Sequence, residues 1–85
     1  MGNVQHIGAF AFAGCDHLTY MVISGSVTSV GDYAFYNCWN LKEIRFDGTK
    51  REAISCGIGN QNRKKWRENS AIEKIICIDG EIVLE

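Results

Sequence analysis

Apolar and polar positions alternate over two short stretches of this chain. In Tyr20-Met21-Val22-Ile23, residues 21 and 23 share one face, and in Glu43-Ile44-Arg45-Phe46, residues 44 and 46 do the same. A period of two is that of a strand half-buried on a core. Each stretch follows a leucine, Leu18 or Leu41, at the same spacing. Upstream, Val4-x-x-Ile7 and Val27-x-x-Val30 predict a second, shorter extended piece. Gly8 or Gly31 then marks a turn that needs positive φ or close backbone approach. Ala9-Phe10-Ala11-Phe12-Ala13 and Asp32-Tyr33-Ala34-Phe35-Tyr36 each read as one helical turn that drives its second aromatic, Phe12 or Phe35, into the core.

This regularity is a repeat. Residues 4–26 and 27–49 align without a gap, and Val4/Val27, Gly8/Gly31, Ala11/Ala34, Phe12/Phe35, Cys15/Cys38, Leu18/Leu41 and Gly25/Gly48 are identical pairs. The identities fall on apolar and glycine positions, as stacking demands, because equivalent residues bury against each other. A third, altered copy follows, in which 72–77 matches 41–46 at an offset of 31 rather than 23. A unit this small cannot hide both its faces, so units must stack, and a terminal unit is expected to be atypical. The chain therefore divides into residues 1–3 ahead of the first unit, 4–26 and 27–49 as two units, and 50–85 as a C-terminal variant unit and cap. The fold class expected is α/β, with parallel strands and short helical turns.

The last segment has signals of its own. Thr49-Lys50-Arg51-Glu52 is a capping-box pattern, with Ala53 and Ile54 as the apolar contact of a short helix and Gly57 as its stop. Trp66, within Arg63-Lys64-Lys65-Trp66-Arg67, is expected to pack down as an anchor. Asp79-Gly80 is a two-residue hairpin signal leading to a last strand or closing flap over 81–84.

Composition narrows the function. The chain has 85 residues, enough for one domain or a piece of one, and 46% apolar with 22% charged residues is globular usage. Its formal net charge of −1 lacks the electrostatic footprint of a nucleic-acid binder. Six of the basic residues lie within 50–67, and that run reads as the solvated face of the cap. No apolar run approaches the ~18 residues of a membrane span, so no membrane insertion is expected. The first residues form no signal peptide, and the abrupt entry into patterned sequence reads as a fragment of something longer.

The pattern V-x-x-I/V-G-x-x-A-F-x-x-C-x-x-L-x-x-I-x-F/I resembles the BspA-like leucine-rich repeats of bacterial cell-surface proteins. Segment 50–80 is similar to the unit that closes such arrays. The resemblance implies a short right-handed solenoid with a parallel concave sheet, one strand per unit, and helical turns on the convex side. It further implies a secreted or surface-attached parent and a role in adhesion or protein binding.

Chemistry-bearing residues give little for catalysis. Cys15 and Cys38 share a repeat position beside Phe12 and Phe35 and read as buried thiols, Cys77 takes the strand position of Phe46, and Cys56 reads as the most exposed of the four. No disulfide is expected. Tightly spaced Cys or His pairs are missing, so neither metal nor cofactor is expected. His6 and His17, at variable repeat positions, read as surface, which leaves Cys15 without a catalytic base. The expectation is a non-enzymatic module.

The binding candidates are the variable strand positions opposite the core: Tyr20, Val22, Glu43, Arg45, Lys74 and Ile76. A mixed face with an aromatic and exposed aliphatics suits a protein or glycan partner. The alternative is a capping terminus that shields an array and has no ligand of its own. Val4 and Ile7 are expected to meet water at an uncapped first unit, which predicts self-association through that end.

Overall fold

A computed structural model describes residues 4–84; residues 1–3, read as lying ahead of the first unit, fall outside the described residues. Six strands occur in the order β1 (His6–Ile7), β2 (Tyr20–Ser24), β3 (Ser29–Val30), β4 (Glu43–Asp47), β5 (Lys74–Cys77) and β6 (Gly80–Val83). Between β4 and β5 lie one helix, α1 (Lys50–Cys56), and a 3-10 turn, Lys65–Arg67. The strands form a two-stranded sheet, β1-β3, and a four-stranded sheet, β2-β4-β5-β6.

Strand register follows the sequence offsets. His6 pairs with Ser29 and Tyr20 with Glu43, both 23 residues apart, and Glu43 pairs with Lys74, 31 apart. These pairings are parallel. The fourth strand is not: β6 runs antiparallel to β5, with Ile75 opposite Ile82. The larger sheet is therefore mixed, where three parallel strands were expected. Its hairpin also turns one residue early. Ile78 and Asp79 form the loop, and Gly80 already belongs to β6.

The core lies under the inner sheet face, with Ile23, Phe35, Leu41, Ile44, Ile58, Trp66 and Ile75 fully buried. Phe12 stacks on Phe35 with ring centroids 5.3 Å apart, and Phe35 meets Trp66 edge-on at 5.8 Å. The expected exposure of Ile7 is overturned, because it is buried while Val4 stays exposed. Of the thiols, Cys38 and Cys77 are buried and Cys15 is half-buried. Cys56, expected to be exposed, is only 4% accessible, because α1 turns Ala53 and Cys56 inward and leaves Ile54 outside.

The turns over 9–14 and 32–37 are not helical, contrary to expectation. Phe10 and Tyr33 sit at φ 60° and 61°, in the left-handed region, which breaks any α-helical run. A non-glycine residue there costs about 1–2 kcal/mol. The stacked ring pair that the two residues make returns about 0.5–1.5 kcal/mol once. Two such residues therefore remain a net local cost. Backbone bonds tie successive turns together: Phe12 N–H donates to Ala34 at 2.7 Å, and Phe35 N–H donates to Trp66 at 2.9 Å. Gly31 fits the expectation of close approach, since a Cβ there would lie 2.5 Å from the Ala9 nitrogen; Gly8 shows neither close approach nor positive φ.

Helix α1 has the caps its sequence announces. The Thr49 side chain accepts from the Glu52 N–H at 3.1 Å, and Glu52 Oε1 accepts from the Thr49 N–H at 2.9 Å. Gly57 closes the helix at φ 105°, its N–H donating to Ile54. Asp79 Oδ1 accepts from the Lys50 N–H at 2.8 Å, which fixes the hairpin to the start of the helix. Arg63 bonds the Val30 carbonyl at 2.7 Å and approaches Asp32 at 3.5 Å, anchoring the inserted segment to β3.

Candidate functional site

The outer face of the four-stranded sheet follows from strand alternation. In β4, Ile44 and Phe46 point into the core, so Glu43, Arg45 and Asp47 must point out. Register then builds rows across the sheet. One row is Tyr20, Glu43, Lys74 and Val83; the next is Val22, Arg45, Ile76 and Glu81. All six residues singled out by sequence thus share one face. Tyr20, Val22 and Arg45 are exposed, while Glu43, Lys74 and Ile76 are half-buried.

Internal contacts order part of this face. The Arg45 guanidinium carbon lies 5.2 Å from the Tyr20 ring centroid, and Arg45 Nε donates to Glu43 Oε2 at 3.2 Å. Exposed contacts of these kinds contribute little stability, about 0–1 kcal/mol each. Their effect is to hold the guanidinium between an aromatic and a carboxylate. Lys74 Nζ and Glu81 Oε2 lie 3.9 Å apart one strand further on.

Four residues of this face lie beyond the sequence expectation. Glu81 and Val83 join it through antiparallel β6, and Asp47 and Ile78 extend it at the C-terminal ends of β4 and β5. Val22, Arg45, Asp47, Ile76 and Ile78 line a cleft of about 270 Å³. Ile78, 68% exposed, forms its rim. The alternation of 81 and 83 around half-buried Ile82 is the signal from which the β6 pair could have been found.

A second cleft, of about 290 Å³, opens between Val27-Thr28 and α1, where Glu52, Ser55 and Cys56 line it. Burial pushes the Cys56 thiol above its ordinary range, and that outweighs the nearby backbone N–H groups and Arg63. Such a thiol is a poor nucleophile at neutral pH. Neither histidine bonds Cys15 among the described residues: His6 Nδ1 lies 2.6 Å from Ser29 Oγ, and His17 Nε2 lies 3.7 Å from Asp16 Oδ1. No group of three or more His, Cys, Asp or Glu side chains among the described residues is arranged to hold a metal ion. No helix among the described residues is long and apolar enough to cross a membrane.

No curated protein and no solved structure matches the chain. A family model, described as BspA type leucine rich repeat region (6 copies), matches residues 1–75. Its span takes in the two complete sequence repeats and the aromatic stack and reaches into β5. The chain belongs to the BspA-type leucine-rich-repeat family.

Proposed function

We propose that the chain is a non-enzymatic protein-interaction module, a short right-handed solenoid that meets its partner on the outer face of the four-stranded sheet. Tyr20, Val22, Glu43, Arg45, Lys74 and Ile76 form the contact, with Asp47 and Ile78 at its rim. The observation that carries this reading is the exposure of Tyr20, Val22, Ile78 and Val83 on one sheet face, with charged groups interspersed among them. Tyrosine and arginine side chains, here Tyr20 and Arg45, are among the usual anchors of protein interfaces. Family membership supports a binding role. Adhesion, with a protein or glycan as counterpart, and a secreted or surface-attached parent belong to the same proposal.

The test selects phage-displayed peptides on the folded chain and measures them against a Tyr20→Ala/Arg45→Ala/Ile76→Ala variant. Selected peptides are expected to lose at least about tenfold in affinity while the variant melts normally, since hot-spot truncations cost more than about 1.4 kcal/mol. Equal binding to both chains would overturn the reading.

A second reading, a capping terminus without a ligand, is favoured by one observation. Antiparallel β6 ends the parallel succession and is held by Leu84 N–H donating to Glu73 at 2.8 Å and Gln61 Nε2 donating to Val83 at 2.7 Å. On that reading no selected peptide distinguishes the variant.

A further inference from the structure

The turns between the two sheets hold a second surface. Phe10, Tyr33 and Lys64 stand at offsets of 23 and 31, the same offsets as the strands. The Tyr33 N–H donates to Lys65 at 2.8 Å, which sets a basic turn beside the aromatic one. The Phe10 and Tyr33 rings stack at 5.2 Å, and Tyr36 meets both edge-on, at 6.4 and 5.6 Å. Phe10 is 56% exposed, and Lys64 and Lys65 are exposed as well.

Folding alone gives this cluster no obvious reason. The other left-handed positions of the turns use Gly14, Asn37 and Asn69, residues that tolerate such a backbone. At Phe10 and Tyr33 the chain instead places large aromatics outside the buried core. Phe10 is exposed and Tyr33 half-buried, and local backbone strain of this kind clusters at functional sites.

We propose that Phe10, Tyr33 and Tyr36, with Lys64 and Lys65, form a binding site for an acidic polypeptide segment bearing aromatic or aliphatic side chains. Charge sets the first half of that chemistry. Asp32 is matched by Arg63 at 3.5 Å, and Lys64 and Lys65, both exposed, take part in no salt bridge among the described residues. Ring geometry sets the second half. Phe10 and Tyr33 each cover one face of the other, so successive bases or pyranose rings cannot enter between them and the pair does not act as two separate platforms. What remains is an exposed apolar flank, suited to side chains, beside cations suited to carboxylates.

The test uses the full chain and four probes: a fluorescein-labelled glutamate–tyrosine copolymer (4:1), polyglutamate of equal length, heparin and oligo-dT, read by anisotropy. The copolymer is expected to bind at least tenfold more tightly than polyglutamate. Phe10→Gly/Tyr33→Gly and Lys64→Glu/Lys65→Glu should each lose at least tenfold, whereas Tyr20→Ala/Arg45→Ala/Ile76→Ala keeps the affinity. Phe10→Gly/Tyr33→Gly should also melt no lower than the parent chain, because it relieves the left-handed strain. If glycine loosens the turns, Phe10→Asn/Tyr33→Asn gives the same readout. Equal binding of polyglutamate, tighter binding of heparin or oligo-dT, or a lower melting temperature with binding intact would each overturn the proposal. The last of these would make the rings a structural brace.

Discussion

Phe35 and Trp66 meet edge to face with ring centroids 5.8 Å apart, and the Phe35 N–H donates to the Trp66 carbonyl at 2.9 Å. Phe12 meets Phe35 differently, stacked nearly parallel on it at 5.3 Å with its N–H donating to Ala34, the residue before Phe35. Trp66 therefore closes a column of three aromatic rings, Phe12, Phe35 and Trp66. Its indole N–H is buried without a hydrogen-bond partner among the described residues.

Two substitutions separate packing from that unpaired donor. Trp66→Ala should destabilise the chain by about 3–5 kcal/mol, the usual cost of emptying a large aromatic site. Trp66→Phe should cost clearly less, since it keeps a ring at the site and removes a donor that buries without compensation. Urea melts of both variants read the difference. Equal losses would mean that a phenyl ring recovers none of the packing that the indole supplies, so that the fit of the larger ring sets the whole cost.

The sequence expectation that Trp66 packs down as an anchor holds, since it is fully buried; its equivalence to Phe35 was also within reach. The offset of 31 that carries Leu41 to Ile72 also carries Phe35 to Trp66. The basic residues around it disguised the match, because repeat identity is judged on neighbours as well as on the core position. Which side chains share the outer face was legible too, since period-two alternation and one offset determine it. Asp47 continues the same alternation, paired with Ser24, and was open to the same reading; Ile78 was not, because it lies past the end of β5, where its N–H donates to Gly48 at 2.9 Å. The left-handed turns were hidden for a different reason. Aromatics at Phe10 and Tyr33 carry no local signal for positive φ, whereas glycine or asparagine would.

The capping box of α1 gives a second prediction. Thr49→Ala removes the acceptor of the Glu52 N–H and should cost about 1 kcal/mol. In a domain of this size that lowers the melting temperature by roughly 4–8 °C. Because Asp79 also bonds the first turn, part of the helix survives the loss. A melting temperature unchanged within error would mean that the Asp79 contact alone holds the helix start.

The thiols should divide by exposure and by pH. Cys15 is half-buried and the other three are buried, so one thiol of four is expected to react quickly with a disulfide reagent in the folded chain. Cys15→Ser should abolish that phase. Burial raises the thiols of Cys38, Cys56 and Cys77 above their ordinary range. An acid whose folded pKa is raised contributes stability that is complete below the unfolded value, about 8.5 for a thiol, and is lost as pH rises toward the folded one. Stability should therefore be level near neutrality and fall above about pH 8.5. Cys77→Val, which removes one such group, should flatten the fall, as denaturant melts across the pH range would show. An unchanged slope would assign the alkaline loss to other residues.

The first unit's edge gives the last prediction. β1 and β2 each lie at the end of their sheets, so one side of β2 over Tyr20–Ser24 pairs with no strand among the described residues. Half-buried Phe12, Leu18 and Met21 pack against the core at the same end. Buried Ile7 closes part of that end, which makes the self-association expected of an open unit weaker but does not remove its edge. Light scattering over a concentration series should show a mass rising above the 9.5 kDa monomer. Met21→Lys sets a charge on the edge strand and should hold the chain monomeric at every concentration, the device by which natural edge strands avoid pairing. A constant monomer mass for the unsubstituted chain would mean that the edge does not pair. A rising mass that Met21→Lys leaves untouched would place the contact elsewhere, with the exposed sheet face around Tyr20 and Val22 the next surface to substitute.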